Sequence, residues 1–469
     1  MTSRTIRTRL VQLHVTPGRP DANTEHMLRY IADARADNID LLVFPEMAVP
    51  GYLLGDEWER AAFLRECERC HEDLRAAAKG IVVVFGSVGL DWNKRNEDGR
   101  VRKYNALYVL DDAAFVGPAG GPYPFLVKTL LPNYREFDDS RHFFDLRKLA
   151  TELGRDLQDL LQPVETGRGR LSCVLCEDAW DLDYGVSPLD LLSLAKADLY
   201  VNISASPFTL NKNHKRNRVF AEHARRLQRP LVYVNNVGLQ DNGKTVFTFD
   251  GASCIYDGCG RRTPSPPPFE EACLTHDVPL GSNQAFGELD ELAEDGIDRV
   301  FDALTYGTKV FMQRCGLERV TVGISGGIDS AVVAALYRHI LPPENLLLMN
   351  MPSSFNSPTT RNLALELARN LGCYYAELPI QDSLELTRKQ VDGLEIRNAP
   401  GTTLRRADLS PRGIENIQAR DRSSRLLAAA ASAFGGVFTC NANKSEATVG
   451  YTTLYGDLGG YLANIADLW

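Results

Sequence analysis

Val320-Thr321-Val322-Gly323-Ile324 runs into Ser325-Gly326-Gly327-Ile328-Asp329-Ser330, and Ala331-Val332-Val333-Ala334-Ala335-Leu336 follows. A β-forming apolar run, a glycine-rich turn and a row of helix formers predict a strand that passes through a turn into a helix. That geometry makes an anion site. Two glycines let the backbone approach a phosphate closely, and the free N–H groups of the helix N-terminus share the space with the hydroxyls of Ser325 and Ser330. Asp329 could hold Mg²⁺ beside bound phosphates. An ordinary tight turn would use the same glycines, so the reading rests on strand, loop, acid and helix standing in register.

No Gly-Lys-Ser/Thr ending follows, so the loop is not of the Walker type. Asn345 to Pro352 reads as a second strand, ending before Ser353 and Ser354, and Thr360 to Leu371 as a helix with Thr359 or Thr360 to cap it. Parallel strands with crossover helices place ligands at their carboxyl ends. Adenine and ribose therefore fit between the 325–330 loop and the Pro352-Ser353-Ser354 turn, unless the two serines are simple turn formers. Further on, Gly413 to Arg422 opens a helix whose Asn416, Arg420 and Arg422 suit a ligand phosphate or carboxylate, or else form an exposed face. Asn443-Lys444-Ser445-Glu446 and Gly450 to Asp457 supply a second acid and a glycine-flanked acid.

The first half has three apolar runs that each end in one reactive group. Leu41-Leu42-Val43-Phe44-Pro45 leads to Glu46, with Pro50-Gly51-Tyr52 beyond; Phe125-Leu126-Val127 leads to Lys128, with Tyr134 and Glu136 beyond; Leu171 to Leu175 leads to Cys176-Glu177-Asp178. Taken singly, the cysteine reads as a small core residue, Glu46 as a helix-cap charge and Lys128 as a solvated strand end. Together they point to a site where strands meet. Glu46 can take a thiol proton, Cys176 can attack an amide carbonyl, and Lys128 can stabilise the oxyanion. Leu199 to Phe208 is another strand ending in small polar residues, among them Ser204.

Strands at about 6–15, 39–45, 81–88, 104–110, 125–130, 170–176, 198–204 and 231–237 alternate with helices at 22–37, 57–79, 188–196 and 214–228. That is an α/β layered domain. Thr245 to Ser253 adds a late strand. The breaker cluster from Gly258 to Pro268 marks a connector, after which a helix runs from Glu288 to Cys315. A length of 469 residues with 44% apolar content supports two or three domains with real cores. A net charge of −9 and short basic stretches argue against a nucleic-acid surface. No apolar run is long enough to cross a membrane, and the N-terminus lacks a signal-peptide core. Cys67-Glu68-Arg69-Cys70-His71 spells a haem attachment site, but it sits in an amphipathic helix with no export signal. Cys173 and Cys176 spell a redox pair, and ten cysteines without regular spacing read as free thiols in a reducing cytosol.

Ser325 to Ser330 resembles the pyrophosphate loop of the N-type ATP pyrophosphatases, which activate an oxygen substrate with AMP and let ammonia displace it. Glu46, Lys128 and Cys176 in that order resemble the nitrilase superfamily, and Leu199 to Phe208 is similar to the substrate-side loop of nitrilase-type glutaminases. With the 443–446 and 450–457 segments, the whole chain resembles the glutamine-dependent NAD synthetases. The resemblance implies an α/β chain: a nitrilase-like αββα sandwich over 1–262, a linker over 263–287, and over 288–469 a doubly wound parallel-sheet domain similar to the adenine nucleotide alpha hydrolases. It implies glutamine, ATP and nicotinic acid adenine dinucleotide as substrates, with ATP and Mg²⁺ at the second site. Residue by residue it carries over Tyr52, Tyr134, Glu177 and Ser204 to glutamine, and Ser325, Gly326, Gly327, Asp329 and Ser330 to ATP. Asn416, Arg420 and Asp457 carry over to the deamidated dinucleotide, and Asp329 and Glu446 to the metal. A cytoplasmic homo-oligomer is implied as well.

Two departures stand out. Cys440-Asn441 replaces a more usual Gly-Thr, with Asn441 still able to donate to a phosphate or ribose. The chain also stops at Trp469 on apolar residues, which reads as an interrupted element and predicts a truncated synthetase half. Two other functions keep the same motifs: a carbon–nitrogen hydrolase whose nucleotide domain does no chemistry, and a non-catalytic nucleotide-binding subunit.

Overall fold

The computed structural model describes residues 4–469 except 136, 244, 290–295 and 355. The chain divides into two compact units, 1–303 and 304–469. Among the described residues no helix is long and apolar enough to cross a membrane.

The first unit stacks two sheets. One runs, in spatial order, Ala272–Pro279, Thr5–Gln12, Leu41–Val43, Val82–Arg95, Val101–Asp111 and Ala114–Phe115, with Leu126–Val127 also paired to Val101–Asp111. The other runs Cys254–Tyr256, Leu231–Asn235, Leu199–Ser204, Gly169–Leu175 and Val164–Thr166, its middle three strands parallel. The period of two in each strand sorts side chains to two destinations. Leu41, Val43, Val82 and Val84 join Leu175, Val201 and Val232 in one buried cluster. The alternate residues Leu42, Val83 and Phe85 pack with Met27, Ile31 and Leu74 of helices Pro20–Ala36 and Ala61–Ala77. On the other sheet Tyr200 and Tyr233 pack with Phe220 of helix Lys212–Leu227. Helix, sheet, sheet and helix therefore form the expected αββα sandwich.

Sequence and structure differ at several places. The stretch read as a linker, 263–287, contains strand Ala272–Pro279, which pairs antiparallel with Thr5–Gln12 from Thr5↔Pro279 to Gln12↔Ala272. An edge strand needs only one partner, and its half-polar sequence masked it behind the proline cluster. The helix expected over 57–79 is a short 3₁₀ turn, Gly55–Glu59, and then Ala61–Ala77. Helix Pro358–Leu371 is capped not by Thr359 or Thr360 but by Ser357, whose side chain accepts from the Thr360 N–H, with Pro358 at the first position. The helix expected from Glu288 is described from Ile297 to Arg314.

In the second unit four parallel strands stand in the order Tyr374–Glu377, Leu346–Asn350, Val320–Gly323 and Val437–Phe438. In chain order that is third, second, first, fourth. From Val320–Gly323 the chain winds outward through Leu346–Asn350 to Tyr374–Glu377 and then crosses back to Val437–Phe438 on the other side, so the doubly wound sheet has its switch point beside the strand that feeds the 325–330 loop. Helix Pro411–Arg420 runs into a π-helical stretch, Asp421–Leu427, which the sequence did not foretell. Leu427 lies so close to the sheet that a Cβ on Gly323 would stand 2.9 Å from its Cδ1. Near the end of the chain Ile465 is buried in the core and Tyr461 bonds Tyr337 through its hydroxyl at 2.6 Å, while Trp469 is exposed.

Candidate active sites

Each reactive residue of the first unit leaves the end of a strand of the sandwich. Lys128 Nζ donates to Glu46 Oε1 at 2.8 Å and to Asp139 Oδ2 at 3.3 Å. All three side chains are at most 5% exposed. Two further donors fix Glu46: Asn105 Nδ2 reaches Oε1 and the Ala205 N–H reaches Oε2, each at 2.8 Å. The Tyr52 hydroxyl donates to Asp139 at 2.7 Å. Gly86 belongs to this construction, since a Cβ there would sit 2.5 Å from the Glu46 Cα.

The charges are unequal, one ammonium to two carboxylates. Burial opposes the charge on Lys128, but Glu46 and Asp139 outweigh it and hold the ammonium well above its usual range. Burial pushes Asp139 up to about 6 against the pull of Lys128, with Glu46 adding to the rise. Cys176 is partly exposed. Its thiol is pushed up to about 12 by burial and by Glu46, with Lys128 opposing. Cys176 therefore rests as a thiol, and a nucleophilic role for it would need a base.

Cys176 does not end the strand, as the sequence suggested. The strand stops at Leu175, and Cys176 opens a 3₁₀ turn with φ of 36°. That left-handed backbone costs a non-glycine residue about 1 kcal/mol and turns the residue out of the sheet. Glu177 accepts from the hydroxyls of Tyr134 at 3.1 Å and Tyr184 at 2.9 Å. Ser204 donates to Asn202 Oδ1 at 2.8 Å, and Asn202 Nδ2 donates to the Cys176 carbonyl at 3.3 Å. Glu136 lies outside the described residues. The sequence reading missed Asp139, Asn105 and Tyr184, which reach the site through tertiary contacts and end no apolar run. Cys173 sits in the core between the sheets, and Cys67, Cys70 and His71 are buried in helix Ala61–Ala77. Neither pair forms a disulfide.

The unequal charge has a measurable consequence. Asp139 binds its proton more tightly folded than unfolded, so its contribution to stability is present below about pH 4 and lost as pH rises through about 6. In Asp139→Asn the slope of unfolding free energy against pH across that window becomes more positive, by up to about 1.4 kcal/mol per pH unit. Urea titrations of both proteins at several pH values measure it; parallel slopes would contradict it.

In the second unit the 325–330 loop closes on itself. Ser325 and Ser330 hydroxyls lie 3.2 Å apart, the Gly327 N–H donates to Ser325 Oγ at 3.1 Å, and Ser330 Oγ donates to the Gly327 carbonyl at 3.2 Å. Gly326 has φ of 84°, and a Cβ there would stand 2.3 Å from the Thr360 carbonyl oxygen. Asn443 links the two acids: its Nδ2 donates to Asp329 Oδ1 at 2.8 Å, and its N–H donates to Glu446 Oε2 at 3.2 Å as part of a capping box. Among the described residues no group of three or more His, Cys, Asp or Glu suits a metal. Two carboxylates around one asparagine nonetheless fit Mg²⁺, which takes few protein oxygens and completes its shell with water and phosphate.

Asn416, Arg420 and Asp457 meet at a single turn. Thr453 donates through its hydroxyl to Asn416 Oδ1 at 2.8 Å and through its N–H to Asp457 Oδ1 at 3.0 Å, and Arg420 Nε donates to the Leu454 carbonyl at 3.1 Å. Arg422 points elsewhere, donating to the Met351 carbonyl at 3.0 Å. Asn441 donates to the Gly323 carbonyl at 2.7 Å, bracing the strand before the loop.

A sandwich with a thiol, a lysine and a carboxylate, followed by a doubly wound unit with a phosphate-type loop, defines a carbon–nitrogen hydrolase joined to a nucleotide-using synthase. The carbon-nitrogen hydrolase family matches residues 7–287, and the NAD synthase family matches residues 300–469. The chain is 31% identical over 473 residues to the glutamine-dependent NAD(+) synthetase of Synechocystis, spanning 98% of this chain and 78% of that one. It is 32% identical over 476 residues to that of Xanthomonas campestris, spanning 100% and 78%. The solved structure of the Acinetobacter baumannii glutamine-dependent NAD+ synthetase with ADP superposes with a TM-score of 0.80 at 27% identity, covering 99% of this chain and 80% of that one. The chain belongs to the glutamine-dependent NAD(+) synthetases.

Proposed function

We propose that the first unit hydrolyses glutamine at Cys176 and that the second uses the ammonia to amidate nicotinic acid adenine dinucleotide, giving NAD, AMP and pyrophosphate. The observation that carries this reading is the presence on one chain of both the Glu46–Lys128 pair beside Cys176 and the 325–330 loop at a sheet's switch point.

Glu46 takes the Cys176 proton as Sγ attacks the glutamine amide carbon. The oxygen of the tetrahedral intermediate meets the Lys128 ammonium, already charged and desolvated, in an arrangement worth about 3 kcal/mol in comparable sites. Collapse expels ammonia with the proton from Glu46, leaving a thioester. Glu46 then takes a proton from water, which attacks the thioester, and glutamate and the free thiol are released. Tyr52, Tyr134, Glu177 and Ser204 surround the substrate in this reading. Glu177, with two tyrosine hydroxyls bonded to it, suits the substrate ammonium.

At the second site the nicotinate carboxylate attacks the α-phosphorus of ATP and pyrophosphate leaves into the loop of Ser325, Gly326, Gly327 and Ser330. Ammonia attacks the resulting acyl adenylate, and AMP departs with the former carboxylate oxygen. Asn416, Arg420 and Asp457 hold the deamidated dinucleotide at the 453–457 turn. Asp329 and Glu446 would hold Mg²⁺, which when bound neutralises charge on the phosphates.

The test follows AMP release in the presence of ATP and nicotinic acid adenine dinucleotide, with glutamine or ammonium chloride as nitrogen source. AMP is expected from both. Chelation of divalent metal should stop AMP formation in both while glutamine hydrolysis continues. Metal-independent AMP formation would remove Asp329 and Glu446 from their assigned role, and glutamate without AMP would leave only the hydrolase reading.

A further inference from the structure

The left-handed backbone of Cys176 persists only where its surroundings over-determine it. The restraint comes from a side chain two residues away. Asp178, 1% exposed, accepts the Leu175 N–H on Oδ2 at 3.2 Å, immediately before the nucleophile. On Oδ1 it accepts the N–H groups of Thr129 at 3.0 Å and Leu130 at 2.8 Å, immediately after Lys128. One carboxylate thus ties the strand end that carries the lysine to the turn that carries the thiol. Beside it lies a cavity whose walls include Phe125, Val127, Leu146, Leu160 and Cys173, so on that side it faces mainly apolar neighbours.

We propose that Asp178 is a positioning residue for glutamine hydrolysis, holding the Cys176 turn and the Lys128 strand end in one register so that Sγ and the ammonium converge on the same carbonyl. This rests on the roles proposed for Cys176 and Lys128. Both oxygens must be acceptors, because three N–H groups point at them. Asparagine has nearly the same shape but only one acceptor oxygen. Whichever way it turns, an amide N–H opposes a backbone N–H, and one of the two strand ends is released. A small displacement between nucleophile and oxyanion donor is enough to slow the chemistry without removing a substrate contact.

The test compares Asp178→Asn with the wild type in the full chain. Glutamine hydrolysis is expected to lose roughly 10²-fold in kcat with KM little changed, because the binding groups stay and only the reacting pair loosens. NAD formation from ammonium chloride should be unchanged, which also shows that the chain has folded. Should Asp178→Asn not fold, Asp178→Glu replaces it: the extra methylene has the cavity to occupy, all acceptors remain, and a smaller loss, again confined to kcat for glutamine, is expected. Unchanged kcat in whichever variant folds overturns the proposal, as does a loss that falls mainly on KM or is shared equally by ammonia-driven synthesis. A wild-type chain that does not hydrolyse glutamine, or a Cys176→Ala chain that does, would instead refute the reading on which the proposal rests.

Discussion

Replacing Cys176 by alanine is expected to lower glutamine hydrolysis by at least about 10³-fold, because no neighbouring group can form the thioester in its place. NAD formation from ammonium chloride should persist, since ammonia supplied from solution does not need the thiol. The variant should also lose all glutamine-driven NAD formation while keeping its fold. Cys173→Ala supplies the contrast. Its side chain is buried in the core between the sheets, so its loss should appear as about 1 kcal/mol of stability, with turnover retained. Equal losses of hydrolysis in the two variants would favour a redox or metal pair and contradict the nucleophile assignment.

Gly326→Ala is expected to disable the 325–330 loop of the second unit. With φ of 84°, the added methyl meets a backbone conformation that disfavours it. It also meets the Thr360 carbonyl oxygen at 2.3 Å, and no side-chain rotation relieves contact with backbone. The loop must shift away from helix Pro358–Leu371, and a displacement of that size at a phosphate site costs about 10²-fold or more in turnover. NAD formation should fall equally with glutamine and with ammonium chloride, while glutamine hydrolysis continues. Gly327→Ala is the control: its backbone is not left-handed, and the new Cβ would meet only Ser325 Oγ, at 3.2 Å. A smaller loss is expected there, and normal synthesis by Gly326→Ala would end the assignment of the loop.

The parts legible in the sequence share one property: the reactive residue follows an apolar run along the chain. Glu46, Lys128 and the 325–330 loop could be found that way, because a strand buried on both faces announces itself as a continuous run and parallel sheets place their sites at the strand ends. Asp139 and Asn105 could not be found so. Asp139 opens a four-residue helical turn, Asp139–His142, and Asn105 lies in the middle of Val101–Asp111; what qualifies them is a contact with Lys128 or Glu46 made across the fold. The left-handed turn at Cys176 also escaped notice, since nothing in Leu175-Cys176-Glu177 demands it locally and the carboxylate of Asp178 holds it in place. The π-helical stretch at Asp421–Leu427 has no marker residue, yet it is where Arg420 and Arg422 diverge, one toward Leu454 and the other toward Met351. Ser357-Pro358 is the opposite case, a cap with a clear signature that the choice of Thr359 or Thr360 passed over.

The central claim is that nitrogen released at Cys176 becomes the amide of NAD. The most direct measurement supplies glutamine labelled with heavy nitrogen in its side-chain amide, together with ATP, Mg²⁺ and nicotinic acid adenine dinucleotide, and reads the mass of the NAD formed alongside AMP and glutamate. The account predicts labelled NAD and AMP in equal amounts, with at least as much glutamate. Glutamate released without AMP or labelled NAD would contradict it.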